Sequence, residues 1–157
     1  MSTKKTIYLT PEGREELRKE LDELVNSKRP AMAERLRRAI EQGDLSENAD
    51  YHTAKEEQAF LEGRIQEIEA ILQIAEDIAE TAGSDVVSLG SRVTVVEDGI
   101  QESETFRIVG VAEADPINGK VSHKSPIGQA LLGRQVHDVV LVEAPRGQIA
   151  FRITEIA

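Results

Sequence analysis

The sequence predicts an α+β protein in two parts: an N-terminal antiparallel α-helical coiled-coil hairpin, then a small antiparallel β domain with one short helix. Three observations predict it. Apolar residues recur at steps of three and four through residues 17–39 and again through 54–79, the period of helices with one buried stripe. Only a short polar stretch, "QGDLSEN", separates the two stripes, so the economical way to dry both is to fold one helix back on the other. After "TAGSDVVSLG" the apolar period drops to two and turn signals interrupt it every few residues, the pattern of short strands. The boundaries that follow are a hairpin over 1–80 with its tip near 43–51, a linker at 81–83, and a β domain over 84–157.

The first helix should begin near Pro11. In "YLTPEGREEL", Thr10 can cap, Pro11 suits the first helical position, and Glu12, Glu15 and Glu16 bring the sign that a helix N-terminus favours. Leu17, Leu21, Leu24, Met32, Leu36 and Ala39 then form the stripe, with a one-residue slip around Lys28, and Pro30 should kink the run. The second stripe, Ala54, Gln58, Leu61, Ile65, Ile68, Leu72, Ala75 and Ala79, alternates steps of four and three like a heptad seam. Roughly 30 residues per arm at about 1.5 Å each gives a rod on the order of 45 Å. In the β domain, "SRVTVVE", "ESETFRIVG", "GKVSHKS", "DVVLVEA" and "GQIAFRITEI" read as strands, and "SPIGQALLGRQ" as the helix, with Pro126 near its start and Gly133 near its end.

Composition narrows the function classes. Cysteine is absent, which removes disulfides and thiolate metal sites and suits a reducing compartment. The first residues, "MSTKKTIYLTPEG", hold no apolar h-region, and no run approaches the roughly 20 apolar residues of a membrane span. The expectation is a soluble cytoplasmic protein with no membrane contact. A formal charge of −10 argues against broad binding to nucleic-acid backbone. The acidity lies mostly before Gly83, where 19 acidic residues face 12 basic ones, against 10 and 7 afterwards. Five aromatic side chains leave little for stacking on single strands, so the balance favours a protein partner.

The tip is denser in chemistry than a turn requires. In "GDLSENADYHTAK", Asp44 and Glu47 stand three positions apart, which on a starting helical turn puts both carboxylates on one side. Such a pair suits one hard cation. Magnesium usually takes one or two protein carboxylates together with waters and substrate phosphate oxygens. Held by two carboxylates alone, it would bind weakly, so the site would be completed by ligands from elsewhere. A capping reading stands beside this one: Asp44 with Glu47 resembles a capping box, Gly43 terminates helices, and Asn48 could cap a slightly later start. Capping leaves Asp50, Tyr51, His52 and Lys55 unaccounted for. Arg35, Arg37 and Arg38 are either a solvated face paired with Glu34 and Glu41 or a local guide for a phosphate chain. No HExxH, P-loop, GxSxG or GxGxxG is present.

"GDLSENADYHTAKEEQ" with "EGRIQEIEAIL", and independently "SPIGQALLGR", closely resemble the bacterial transcript cleavage factors of the GreA/GreB family, over nearly the whole chain from "LTPEG" to "FRITEI". The modest basic cluster is more similar to the GreA branch. The resemblance implies a coiled-coil N-terminal domain and a C-terminal domain like that of FK506-binding proteins. It implies a protein that is not itself an enzyme. The C-terminal domain docks on bacterial RNA polymerase near its secondary channel and the coiled coil reaches down that channel. When polymerase has backtracked, two tip acids help hold a second magnesium ion in its active site, and the polymerase cleaves its own transcript near the RNA 3′ end. Those acids fall on Asp44 and Glu47. Asn48 and Tyr51 match motif positions that orient the tip or touch RNA, Lys55 falls where a basic residue is common, and Ser125, Pro126 and Ile127 match the docking segment. The magnesium is shared with the polymerase, and the free protein is expected to be a monomer.

Two departures stand out: Ser46 where many relatives carry lysine, and His137 where glycine is common. Two rival readings come from other classes. A stand-alone magnesium nuclease would need more carboxylates in one place than Asp44, Glu47 and Asp50 easily offer, and a basic substrate surface. A chaperone or prolyl isomerase would need a proline pocket that the few aromatics, Tyr8, Tyr51, Phe60, Phe106 and Phe151, can hardly line.

Overall fold

The structure, a computed structural model, describes residues 6–78 and 85–157. The chain gathers into two compact units, Arg14–Ile74 and a second that unites Met1–Gly13 with Ala75–Ala157. This division differs from the expected 1–80 hairpin domain at both ends. The reason is a pair of two-residue strands, β1 (Tyr8–Leu9) and β2 (Glu76–Asp77), which run parallel, with Tyr8 opposite Glu76 and Leu9 opposite Asp77. Backbone bonds from Glu76 N–H to Ile7 C=O and from Ile78 N–H to Leu9 C=O, both 2.8 Å, complete the pair. The linker expected at 81–83, and Ala79 of the seam, lie outside the described residues.

The helical unit is made by α1 (Pro11–Glu23), a π turn (Leu24–Lys28), α2 (Arg29–Glu41) and α3 (Ala49–Ile74). Leu17, Leu36, Ala39, Ala54, Ile65 and Ile68 are buried, so both stripes find the dry environment their spacing requires. Ile71 is buried as well, and Leu72 only partly so. The π turn falls where the stripe slips by one residue. Arg29 N–H bonds to Leu24 C=O, five residues back, so the extra residue is absorbed in a widened turn and α2 resumes with its apolar face in phase. Pro30 follows closely on the π turn, where the regular ladder of helix bonds is already interrupted. Ion pairs cross between the arms from Arg29 to Glu62 at 2.8 Å and from Arg64 to Glu20 at 2.8 Å.

In the second unit, β3 (Arg92–Glu97), β4 (Ser103–Val109), β5 (Lys120–Ser122), β6 (Val139–Ala144) and β7 (Gly147–Ile156) form one sheet in the order β5-β4-β3-β7-β6. Every pairing is antiparallel except β4 with β5. Alternate residues Val93 and Val95, Val140 and Val142, and Phe151 and Ile153 face one core, with Ile108 and Val121 beside them. The helix α4 (Pro126–Leu131) sets the fully buried Leu131 into the same cluster. His137, singled out as a departure, adopts a left-handed backbone with φ of 75°. Glycine takes that conformation without a Cβ penalty, so the departure sits on a turn with a steric demand for it.

Candidate functional site

The tip is built from the ends of the two arms. Helix α2 stops at Glu41, and Gly43 follows with φ of 111°, the left-handed stop that ends many helices. Residues 43–48 then form turns, and α3 begins only at Ala49. Asp44 and Glu47 therefore lie in the loop before the helix and not on its first turn, which corrects the geometry expected from their spacing.

Asn48, not Asp44, caps α3. Its Oδ1 accepts the Tyr51 N–H at 3.0 Å, while its Nδ2 donates to the Ala39 C=O at 2.7 Å. One side chain thus satisfies an orphan donor at the start of α3 and a carbonyl in the last turn of α2, tying the two arms across the loop. Asp44 is spent locally. Its Oδ1 accepts both the Ser46 N–H at 3.0 Å and the Ser46 hydroxyl at 2.8 Å. The Ser46 hydroxyl, then its amide, holds the Asp44 carboxyl below the usual range. Glu47 is exposed and makes no hydrogen bond or ion pair among the described residues.

The crowd around the acids is partly explained by pairing. Asp50 reaches Arg35 at 3.3 Å, and Arg35 also pairs with Glu57. Arg37 pairs with Glu34 and Glu41 at 2.5 Å, and Arg38 with Glu34 at 3.2 Å. Those arginines hold the Glu34 carboxyl down to about 2, Arg37 contributing most. Arg37 and Arg38 thus follow the solvated-face reading, while Arg35 bridges the arms. Tyr51 is half-buried and meets the His52 ring edge-on, with centroids 5.6 Å apart. Lys55 is exposed one turn further along α3, without an ion pair among the described residues.

The donor set fits a hard divalent cation in part. Two exposed carboxylates offer oxygen ligands of the right kind, but among the described residues no three His, Asp or Glu side chains converge. The other candidate segment serves its own fold. Ser125 Oγ accepts the Gly128 N–H at 3.1 Å as the cap of α4 and donates to the Ser122 C=O at 2.6 Å. Pro126 is exposed in the first turn and Ile127 packs partly on the core. Gly128 allows this approach, because a Cβ there would stand 2.1 Å from the Ser122 carbonyl oxygen.

Two family profiles cover the chain. The one described as "Transcription elongation factor, N-terminal" matches residues 7–76, and "Transcription elongation factor, GreA/GreB, C-term" matches 82–157. The chain belongs to the GreA/GreB family of transcription elongation factors. Curated relatives agree: transcription elongation factor GreA of Halalkalibacterium halodurans is 47% identical over 99% of both chains. GreA of Roseiflexus castenholzii is 50% identical over 97% of this chain and 98% of its own. The crystal structure of GreA factor homolog 1 (Gfh1) of Thermus thermophilus is 32% identical, covering 98% of this chain and 99% of that one, with a TM-score of 0.45. Two features of this GreA/GreB tip escaped the sequence reading: the second bond of Asn48, to Ala39, and the Ser46 clamp on Asp44. The first had no local signal, since donor and acceptor lie nine residues apart. The second was in principle visible, because an Asp two residues before a Ser is a standard side-chain turn.

Proposed function

We propose that this protein is a transcript cleavage factor. It binds bacterial RNA polymerase through its sheet unit, inserts the hairpin tip into the secondary channel, and stimulates the polymerase's own magnesium-dependent hydrolysis of backtracked RNA. The observation that carries this reading, given family membership, is the division of labour at the tip. Asn48 takes the structural duty, which leaves Asp44 and Glu47 exposed and free of any role in capping α3.

A magnesium ion bound there supplies Lewis-acid stabilisation of charge on the attacking or leaving oxygen of an in-line displacement. The chain's part is to present two hard oxygen ligands at the end of a long arm, with Lys55 and Tyr51 nearby to meet the RNA strand. Polymerase completes the coordination, so the protein acts as a cofactor of that enzyme and needs no tight metal site of its own. Ser125, Pro126 and Ile127 would contribute to docking, the exposed Pro126 most directly. The prolyl isomerase alternative gains little: the groove on the sheet unit around Val96, Ile100, Val139 and Phe151 has a single aromatic in its lining.

The test is RNA cleavage in a stalled, backtracked elongation complex with magnesium, comparing wild type, the Asp44→Ala, Glu47→Ala double variant, and a control without polymerase. Cleavage should require polymerase and fall by at least about 100-fold in the double variant, since several kcal/mol of charge stabilisation are lost. Its thermal unfolding should be nearly unchanged, both side chains being exposed. Cutting of free RNA without polymerase would instead identify a nuclease.

A further inference from the structure

The two tip acids are not equally prepared for a cation. Glu47 is free to sample rotamers, whereas one oxygen of Asp44 is held by two donors from the same residue, the Ser46 amide at 3.0 Å and the Ser46 hydroxyl at 2.8 Å. The other oxygen, Oδ2, makes no hydrogen bond among the described residues. With Oδ1 occupied by two donors, the carboxylate has one open oxygen left, Oδ2. That is the form in which a carboxylate meets a small, strictly octahedral cation through one oxygen. Outer partners that orient a ligand in this way raise metal affinity by removing the cost of ordering it.

We propose that Ser46 is a positioning residue, whose hydroxyl and amide together hold the Asp44 carboxylate so that its open oxygen is presented to a divalent cation. The proposal rests on the functional reading above and deepens it. It assigns unequal roles to the acids: Asp44 is the pre-oriented ligand, and Glu47 the one that adjusts to complete the site. The hydroxyl matters because the amide bond alone leaves the carboxylate free to rotate about that single contact.

The experiment has two parts. In the free full-length protein, NMR three-bond couplings report the Asp44 side-chain χ1 angle. One rotamer should dominate in wild type and in Ser46→Thr, while Ser46→Ala should show averaging. In backtracked elongation complexes, cleavage is then titrated with magnesium. Ser46→Ala should raise the half-saturating magnesium concentration about three- to tenfold, the effect of freeing one ordered side chain, while leaving the rate at saturating magnesium within about twofold. Ser46→Thr, which keeps the hydroxyl, should restore the wild-type value.

An unchanged χ1 distribution in Ser46→Ala, an unchanged magnesium requirement, or failure of Ser46→Thr to restore it overturns the positioning role. So does a fall in the saturating rate without a shift in magnesium requirement, which would mark a direct contact of the hydroxyl with RNA or polymerase. If wild type itself gives no cleavage, the functional reading fails and the role falls with it. An active wild type indistinguishable from Ser46→Ala overturns the positioning role alone.

Discussion

Replacing Asn48 with alanine removes the acceptor for the Tyr51 N–H and the donor to the Ala39 carbonyl in one step. A lost N-cap costs about 1 kcal/mol and a partly buried carbonyl bond about as much again, so Asn48→Ala should destabilise the hairpin by about 2 kcal/mol. Asn48→Ser keeps a capping oxygen and loses only the donor to Ala39, and should cost about half as much. Urea unfolding followed by helical circular dichroism checks both: equal losses would show that the cap contributes nothing, and no loss in the cap-preserving variant would show that the Ala39 bond contributes nothing. The same residue shows how far the tip was legible. "GDLSEN" holds two capping candidates, Asp44 and Asn48, and local chemistry accepts either. The choice depends on where α3 starts, which is set by burial of Ala54 and the seam beyond it and not by the loop itself. That Asp44 and Glu47 are acidic and exposed could be read from the sequence; that they precede the helix could not.

At the scale of elements, periodicity guided the long elements, except that the second stripe, read through Ala75 to Ala79, overran α3, which ends at Ile74 just before β2. The five sheet strands and α4 lie within the segments read from alternation and turn residues, and both helical stripes are found largely buried. The two-residue strands β1 and β2 have no period to read, and the parallel pairing of β5 with β4 depends on the chain's path between them. The stripe's slip near Lys28 is the instructive case, because two causes coincide there: a surplus residue in the seam and Pro30. The π turn serves both. A proline in a regular helix interior costs about 3 kcal/mol, but a widened turn has already given up regular bonds and moved carbonyls off the ring's path. Pro30→Ala should therefore stabilise the hairpin by no more than about 1 kcal/mol, with the π turn retained because the seam still carries its surplus residue. A gain near 3 kcal/mol in the unfolding free energy from urea titration would show that proline, and not seam phase, dictates the turn.

At the scale of the whole molecule, the sheet unit is made from both sides of the hairpin. Leu9 is fully buried, Ile78 is 7% exposed, and the Ile78 side chain lies against Gly90. The Glu113 carboxylate accepts the Thr10 N–H at 3.1 Å and also bonds the Thr10 hydroxyl, whose oxygen in turn caps α1 through the Gly13 N–H at 3.0 Å. These residues precede or follow the hairpin in sequence yet belong to the same compact unit as the sheet, which is why a boundary drawn where periodicity changes divides that unit. A fragment of residues 84–157 leaves Leu9 and Ile78 behind. Burial of two such side chains is worth about 3–5 kcal/mol as an upper estimate, a large part of the stability of a domain this small. The fragment should therefore unfold at a much lower urea concentration than the sheet unit of the intact chain. A second variant, with Arg14–Ile74 replaced by a Gly/Ser linker of about six residues, keeps β1, Thr10, β2 and Ile78. It should recover most of the loss, measured by near-ultraviolet circular dichroism or NMR of the core valines. Equal stability of the two variants would mean that the parallel strand pair merely decorates the sheet, whereas recovery would establish that the chain enters and leaves its hairpin through strands the sheet unit needs in order to fold.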